Sequence, residues 1–142
     1  MAREGVILAI LMLMAILVLH CKSSHGAKPP ATYTVGDGYG WSITISMEAW
    51  AKGKKFYAGD ILVFKYDYQD TDVVVVDRKG FETCTVTPNA TVYESGYDKI
   101  QLRFGPNYFI SSNPDNCQSN MKMAINAAAR PPARGARKIN PN

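Results

Sequence analysis

After position 25 the sequence contains no histidine: its two imidazoles, His20 and His25, both fall near the amino end. Of three cysteines, only Cys84 and Cys117 lie beyond Cys21. The body of the chain is therefore denied the commonest general base and the commonest metal ligand. After Leu19 no apolar run approaches the roughly 20 residues that span a bilayer. A one-sided charge is missing as well. Residues 27–126 hold ten Lys or Arg against eleven Asp or Glu, so the excess of base behind the formal net charge of +4 lies outside the body, chiefly in Arg130, Arg134, Arg137 and Lys138 near the end. A balanced body of this kind carries no electrostatic footprint for nucleic acid.

What is present begins with "MAREGVILAILMLMAILVLHCKSSHGA". A charged start at Arg3, an apolar run from Val6 to Leu19 and a small, polar exit are the layout of a secretory signal, with removal expected after about residue 26. The apolar run is short for a membrane anchor. The mature chain would then keep Cys84 and Cys117 alone, and in an oxidising compartment two cysteines most simply form one disulfide. At the other end "AAARPPARGARKINPN" is rich in Pro, Ala and Arg without an apolar pattern, so residues 128–142 read as a basic, disordered tail. No terminal apolar stretch of the kind that precedes a glycolipid anchor follows it.

Between Thr32 and Ala127 short strand patterns alternate with turn residues. "TYTVG", "GDILVFKYD", "DVVVVD", "TVYESG", "DKIQLRF", "YFIS" and "MKMAINA" are separated by Gly, Pro, Asn and Asp. In the last of these, Met121, Met123 and Ile125 share one face and Lys122, Ala124 and Asn126 the other, as in a half-buried strand. Short helical turns are expected at "SMEAWAKG", capped by Ser46, and at "DRKGFETC". Seven or so short strands predict an all-β antiparallel sandwich or barrel in one domain, residues 27–127. Trp41, Trp50, Tyr57, Phe64, Tyr66, Tyr108 and Phe109 are expected to fill its core, with an exposed sugar-stacking platform as the other use of such rings.

Few residues in this body offer chemistry. Asn89-Ala90-Thr91 is an acceptor for N-glycosylation in a polar segment. Asp67, Asp70 and Asp72 crowd together before "VVVV", but their spacing does not match a calcium loop, and acids in a loop are usually just solvated. With no histidine, free thiol or paired carboxylate standing out, catalysis is not expected. One regularity remains: Ser111, Asn116 and Met121 fall at five-residue steps around Cys117.

The blocks "ATYTVGDGYGW", "KGKKFYAGDILVFKYD", "VVVVDRKGFETC", "SGYDKIQL", "GPNYFISSNPDNC" and "MKMAINA" resemble, in order and spacing, the phytocyanins of plants, nearest to the basic blue proteins or plantacyanins. The resemblance implies a cupredoxin fold, a Greek-key β-sandwich of two sheets with one or two short helices and a Cys84–Cys117 disulfide. In copper-binding members a histidine before the "VVVVD" strand, then Cys, His and Met at five-residue steps, hold the metal. Carried onto this chain those positions are Thr71, Ser111, Asn116 and Met121. Two hydroxyls and an amide are poor copper ligands beside thiolate and imidazole, so no copper and no other cofactor is expected.

The resemblance thus implies a secreted protein of the apoplast or cell wall, with plasma-membrane association as the alternative, comparable to the early nodulin-like branch. It would act as a monomeric, non-catalytic binding or structural module for a cell-wall glycan or an extracellular protein. Thr71, Ser111 and Asn116 would either plug the former metal cavity by mutual hydrogen bonds, the expected outcome, or face such a ligand. The competing expectation is a plantacyanin-like copper protein that transfers electrons.

Overall fold

The structure, a computed structural model, describes residues 2–20 and 28–132. The expected signal cleavage site and residues 133–142 lie outside the described residues. The amino-terminal segment forms one helix, α1 (Ala2–His20). Among the described residues no helix is long and apolar enough to cross a membrane.

Residues 28–131 form a separate unit. Its first sheet has the order β1 (Thr32–Thr34), β2 (Ile61–Lys65), β5 (Tyr97–Gln101), with β1 parallel to β2. The second has the order β4 (Thr91–Tyr93), β3 (Val73–Val76), β6 (Gly105–Ile110), β7 (Lys122–Ala127), all antiparallel. Chain order and sheet order differ because successive strands cross from one sheet to the other, as in a Greek-key sandwich.

The alternation in the sequence decides which side chains meet between the sheets. In β2 Leu62 and Phe64 point inward, and in β7 Met123, Ile125 and Ala127 do so, while Ala124 and Asn126 face water. Trp41 packs edge-on against Phe64 at 5.2 Å, and Phe64 meets Phe109 from the opposite sheet at 5.3 Å. The Trp50 ring is buried in the same core, and its Nε1 is the one buried side-chain polar atom without a hydrogen-bond partner among the described residues. Tyr57, Tyr66 and Tyr108 are only half-buried, so the core expectation holds fully for the tryptophans and phenylalanines and in part for these tyrosines.

The unbroken "VVVV" of β3 has its own cause. Val73 faces the core between the sheets, whereas Val74 and Val76 face a second cluster with Ile110, Cys84 and Cys117. A strand buried on both faces has no polar side to show. Helix α3 (Arg78–Thr83) covers that outer face; it starts where the Asp77 carboxylate accepts the Gly80 N–H at 2.8 Å. Gly80 is required there, because a Cβ would lie 2.7 Å from the Thr85 carbonyl oxygen and 2.9 Å from the Val76 side chain. The Cys84–Cys117 disulfide joins the end of α3 to the β6–β7 connection across a separation of 33 residues. A loop of that size contributes roughly 3–4 kcal/mol in the chain-entropy account.

Helices are more numerous than expected. Besides α2 (Met47–Ala51), capped by Ser46, and α3, the β6–β7 connection contains α4 (Pro114–Gln118). The sequence carries its cause: the Asn113 side chain accepts the N–H groups of Asp115 and Asn116, and Pro114 sits where a missing N–H costs nothing.

The domain also extends past residue 127. Ala128 bonds to Ala58 and Phe56 through the backbone at 2.8 and 2.9 Å, so residues 128–131 belong with the sandwich and not with the tail. Arg130 donates to the Asp60 carboxylate at 2.5 Å and to the carbonyls of Ala58, Lys28 and Pro29. Asp60 is fully buried and also accepts the N–H groups of Ala31 and Tyr57, both at 2.8 Å. Burial alone would raise its carboxyl, but these bonds outweigh burial and hold it below the ordinary carboxylate range.

Candidate functional site

Four segments converge at one end of the sandwich. The loop from Asp67 to Asp72 precedes β3, Trp41 and Ile43 come from the long β1–α2 connection, Ser111 ends β6, and α4 leads into Met121. The turn at Asp67 is self-made: its carbonyl accepts the N–H groups of Asp70 and Thr71, both at 3.1 Å, and its carboxylate accepts the Gln69 N–H at 2.9 Å. Asp72 ties this loop to its neighbours. Its carbonyl accepts the Trp41 indole N–H at 2.9 Å and its carboxylate the Ser112 N–H at 2.7 Å.

The residues singled out by spacing all arrive at this end. The hydroxyls of Thr71 and Ser111 are hydrogen-bonded at 2.9 Å, and Ser111, fully buried, also accepts the Asn113 N–H at 3.2 Å. The Ser111 N–H donates to the Met121 carbonyl, and the Met121 N–H to that of Asn116, both at 3.0 Å. Thr71, Asn116 and Met121 line a cleft of about 250 Å³ together with Trp41, Ile43 and Asp70. The mutual plug therefore forms only between Thr71 and Ser111. No hydrogen bond from the Asn116 side chain occurs among the described residues, and this half-exposed amide faces the cleft instead.

The donors at this end are two hydroxyls already committed to each other, an amide and a thioether. A type 1 copper site needs a thiolate and two imidazoles, with the thioether as a weak axial partner. The residues present do not fit that ion. The carboxylates nearby do not replace them: Asp67 caps its own turn, Asp72 holds Ser112, and among the described residues no group of three or more His, Cys, Asp or Glu could hold a metal. The calcium alternative at Asp67, Asp70 and Asp72 thus has no assembled ligand set.

Just past the end of β2, Tyr66 ties that strand to β4 and β5. Its hydroxyl lies 2.5 Å from the Asp98 carboxylate and 2.8 Å from the Tyr93 carbonyl, two acceptors for a single proton. Burial, reinforced by Asp98, pushes its ionisation well above the ordinary tyrosine value. Asn89 stands apart, exposed in a turn closed by the Ala90 N–H on the Thr87 carbonyl at 2.9 Å.

Spacing singles out Ser111, Asn116 and Met121 and the resemblance adds Thr71, while Asp72 reads only as one of three crowded acids and Asn113 is missed, although these two fix the loops. Asn113-Pro114 is a readable helix-start signal; for Asp72 no local signal exists, because its partners lie 31 and 40 residues away.

A two-sheet sandwich with a loop-built cleft between the β2–β3 connection and the β6–β7 connection defines the protein as a cupredoxin. The plastocyanin-like domain family matches residues 41–121. Early nodulin-like protein 22 of Arabidopsis thaliana is 53% identical over 104 residues, 72% of this chain and 74% of that protein. Chemocyanin of Lilium longiflorum is 41% identical over 127 residues, 89% of this chain and 94% of its own. Among solved structures, cucumber basic protein, a blue copper protein, superposes with a TM-score of 0.65 at 49% identity, covering 68% of this chain and 99% of its own. This chain belongs to the phytocyanin family, within the plastocyanin-like proteins.

Proposed function

We propose that this protein is a secreted phytocyanin without type 1 copper, working at the plant cell wall or cell surface as a non-catalytic binding or structural module. The observation that carries the reading is the Thr71–Ser111 hydrogen bond, which occupies two of the positions where copper-binding relatives place strong ligands. The signal-like leader, the disulfide and the exposed acceptor Asn89 agree with passage through the secretory pathway, and Asn89 is read as glycosylated.

In this reading the Asn116 amide, flanked by Trp41 and Met121, is the group that meets a ligand, a glycan or an extracellular peptide. An amide both donates and accepts, which suits hydroxyl-rich or backbone ligands. The test is a panel of wall glycans and extracellular proteins presented to the wild type and to Asn116→Leu. Binding lost in the variant supports the cleft as the ligand site; binding unchanged in it removes the cleft from the function.

The alternative, electron transfer by bound copper, draws on the likeness to a blue copper protein at 49% identity. It would require copper to bind through hydroxyl, amide and thioether donors, against the ion's chemistry.

A further inference from the structure

On the open side of the sandwich, away from the cleft, the two sheets part along the free edges of β5 and β4. Each of these strands pairs on one side only, β5 with β2 and β4 with β3. Between them lies a groove of about 390 Å³ bounded by Thr91 and Tyr93 on one bank, Lys99, Gln101 and Arg103 on the other, and Tyr108 along β6. Its charge is one-sided. Lys99 and Arg103 are exposed, neither forms an ion pair among the described residues, and no Asp or Glu lines the groove. In a body with slightly more acids than bases this concentration of unpaired cations is a local feature, not a reflection of the whole.

The basic bank is held rigid. Asn107, nine-tenths buried, donates to the carbonyls of Arg103 and Gly105 and accepts the Arg103 N–H, each at 2.9 Å. These three bonds fix the β5–β6 turn, so the backbone that carries Arg103 is already ordered and only its side chain remains to be ordered on binding. Beside it at the tip of the same turn, Phe104 is 71% exposed, a flat apolar ring with no core to fill. The hydroxyl of Tyr93 has no hydrogen-bond partner among the described residues, whereas the Tyr108 ring packs against Phe81 of α3 in the outer cluster and contributes only its edge of β6 to the groove.

Two unpaired cations, the Tyr93 hydroxyl and the exposed Phe104 ring form a composite surface. Carboxylates answer the first, sugar hydroxyls the second, and the apolar face of a pyranose the third. An acidic peptide would use the cations and the strand edges but leave the Tyr93 hydroxyl and the Phe104 ring without a purpose. We infer that this groove is a binding site for a carboxylated polysaccharide, a chain of uronic acid units. The assignment takes from the proposed function only that the protein is extracellular, and it does not depend on the copper question.

The test is an NMR titration of the labelled full-length protein with a galacturonate oligomer, its methyl-esterified counterpart and a glutamate peptide of equal charge. The galacturonate oligomer is expected to give saturable shifts at Lys99, Gln101, Arg103 and Tyr108. Affinity should fall about tenfold or more in Lys99→Gln/Arg103→Gln, the range expected when two cations facing an anionic ligand are removed. It should survive at the groove in Arg134→Gln/Arg137→Gln/Lys138→Gln, which removes the non-specific attraction of the tail. The assignment is overturned by absent shifts, by an equal response to the ester, by an equal or tighter response to the glutamate peptide, or by an unchanged affinity at the groove in the Lys99→Gln/Arg103→Gln variant. Detection of bound copper would sink the proposed function and leave these shifts untouched.

Discussion

The side-chain oxygens of Thr71 and Ser111 lie 2.9 Å apart, joining the loop before β3 to the end of β6 across 40 residues of sequence. Two cleft positions are thus satisfied by each other, and a metal would have to break that bond to use either oxygen.

The bond has a measurable worth. Ser111→Ala removes the partner of Thr71 and the acceptor of the Asn113 N–H at a fully buried position. It is expected to cost about 1–3 kcal/mol in urea unfolding, and Thr71→Val slightly less because Thr71 is only half-buried. A double-mutant cycle should return a coupling of about 0.5–1.5 kcal/mol; zero coupling would mean the two hydroxyls do not bond in solution.

The second prediction concerns Asp60 and Arg130. Because the folded protein holds the Asp60 carboxyl below its unfolded value of roughly 3.9, its contribution is fully present above that pH. It is lost as pH falls through the lower folded value. Arg130→Ala leaves a buried carboxylate with two backbone donors only, and a loss of about 3–5 kcal/mol is expected at pH 7. Burial then dominates and raises the carboxyl, so part of the loss should be regained on acidification. Denaturant midpoints of both proteins between pH 7 and pH 3 check the sign.

For Tyr66 the expectation is spectroscopic. Its ionisation is raised by burial and by Asp98, so the folded state favours the neutral phenol. That contribution is present below the ordinary tyrosine value of about 10 and lost as pH rises beyond it. Ultraviolet titration should therefore show one tyrosine ionising only with alkaline unfolding, and Tyr66→Phe should abolish that late step.

Restoring the missing donors should restore the ion. In the triple variant Thr71→His, Ser111→Cys, Asn116→His, with Met121 in place, the cleft would present a thiolate, two imidazoles and a thioether. Added copper is expected to give an intense blue band in this variant and none in the wild type. A colourless variant that remains folded would mean that the cleft geometry, and not only its donors, has departed from a copper site.

Much of this was legible in the sequence because it rests on local period. Strand β7 shows its alternation in six residues, and β3 announces burial on both faces by an unbroken run of valine. The steps Ser111, Asn116 and Met121 became legible as a site only beside the phytocyanin resemblance, and their convergence follows from a short helix between two antiparallel strands. What escaped lies in long-range pairing. Arg130 sits in a segment with the composition of a tail, yet its partner Asp60 is 70 residues earlier and buried by the fold itself. Likewise the split fate of the three polar cleft residues depends on which oxygens meet, and spacing fixes neither the Thr71–Ser111 contact nor the free amide of Asn116.

The most direct measurement is metal analysis of the purified protein, followed by titration with copper(II). The account predicts no stoichiometric copper as isolated and no thiolate-to-copper absorption on addition. One redox-active copper per chain would contradict it.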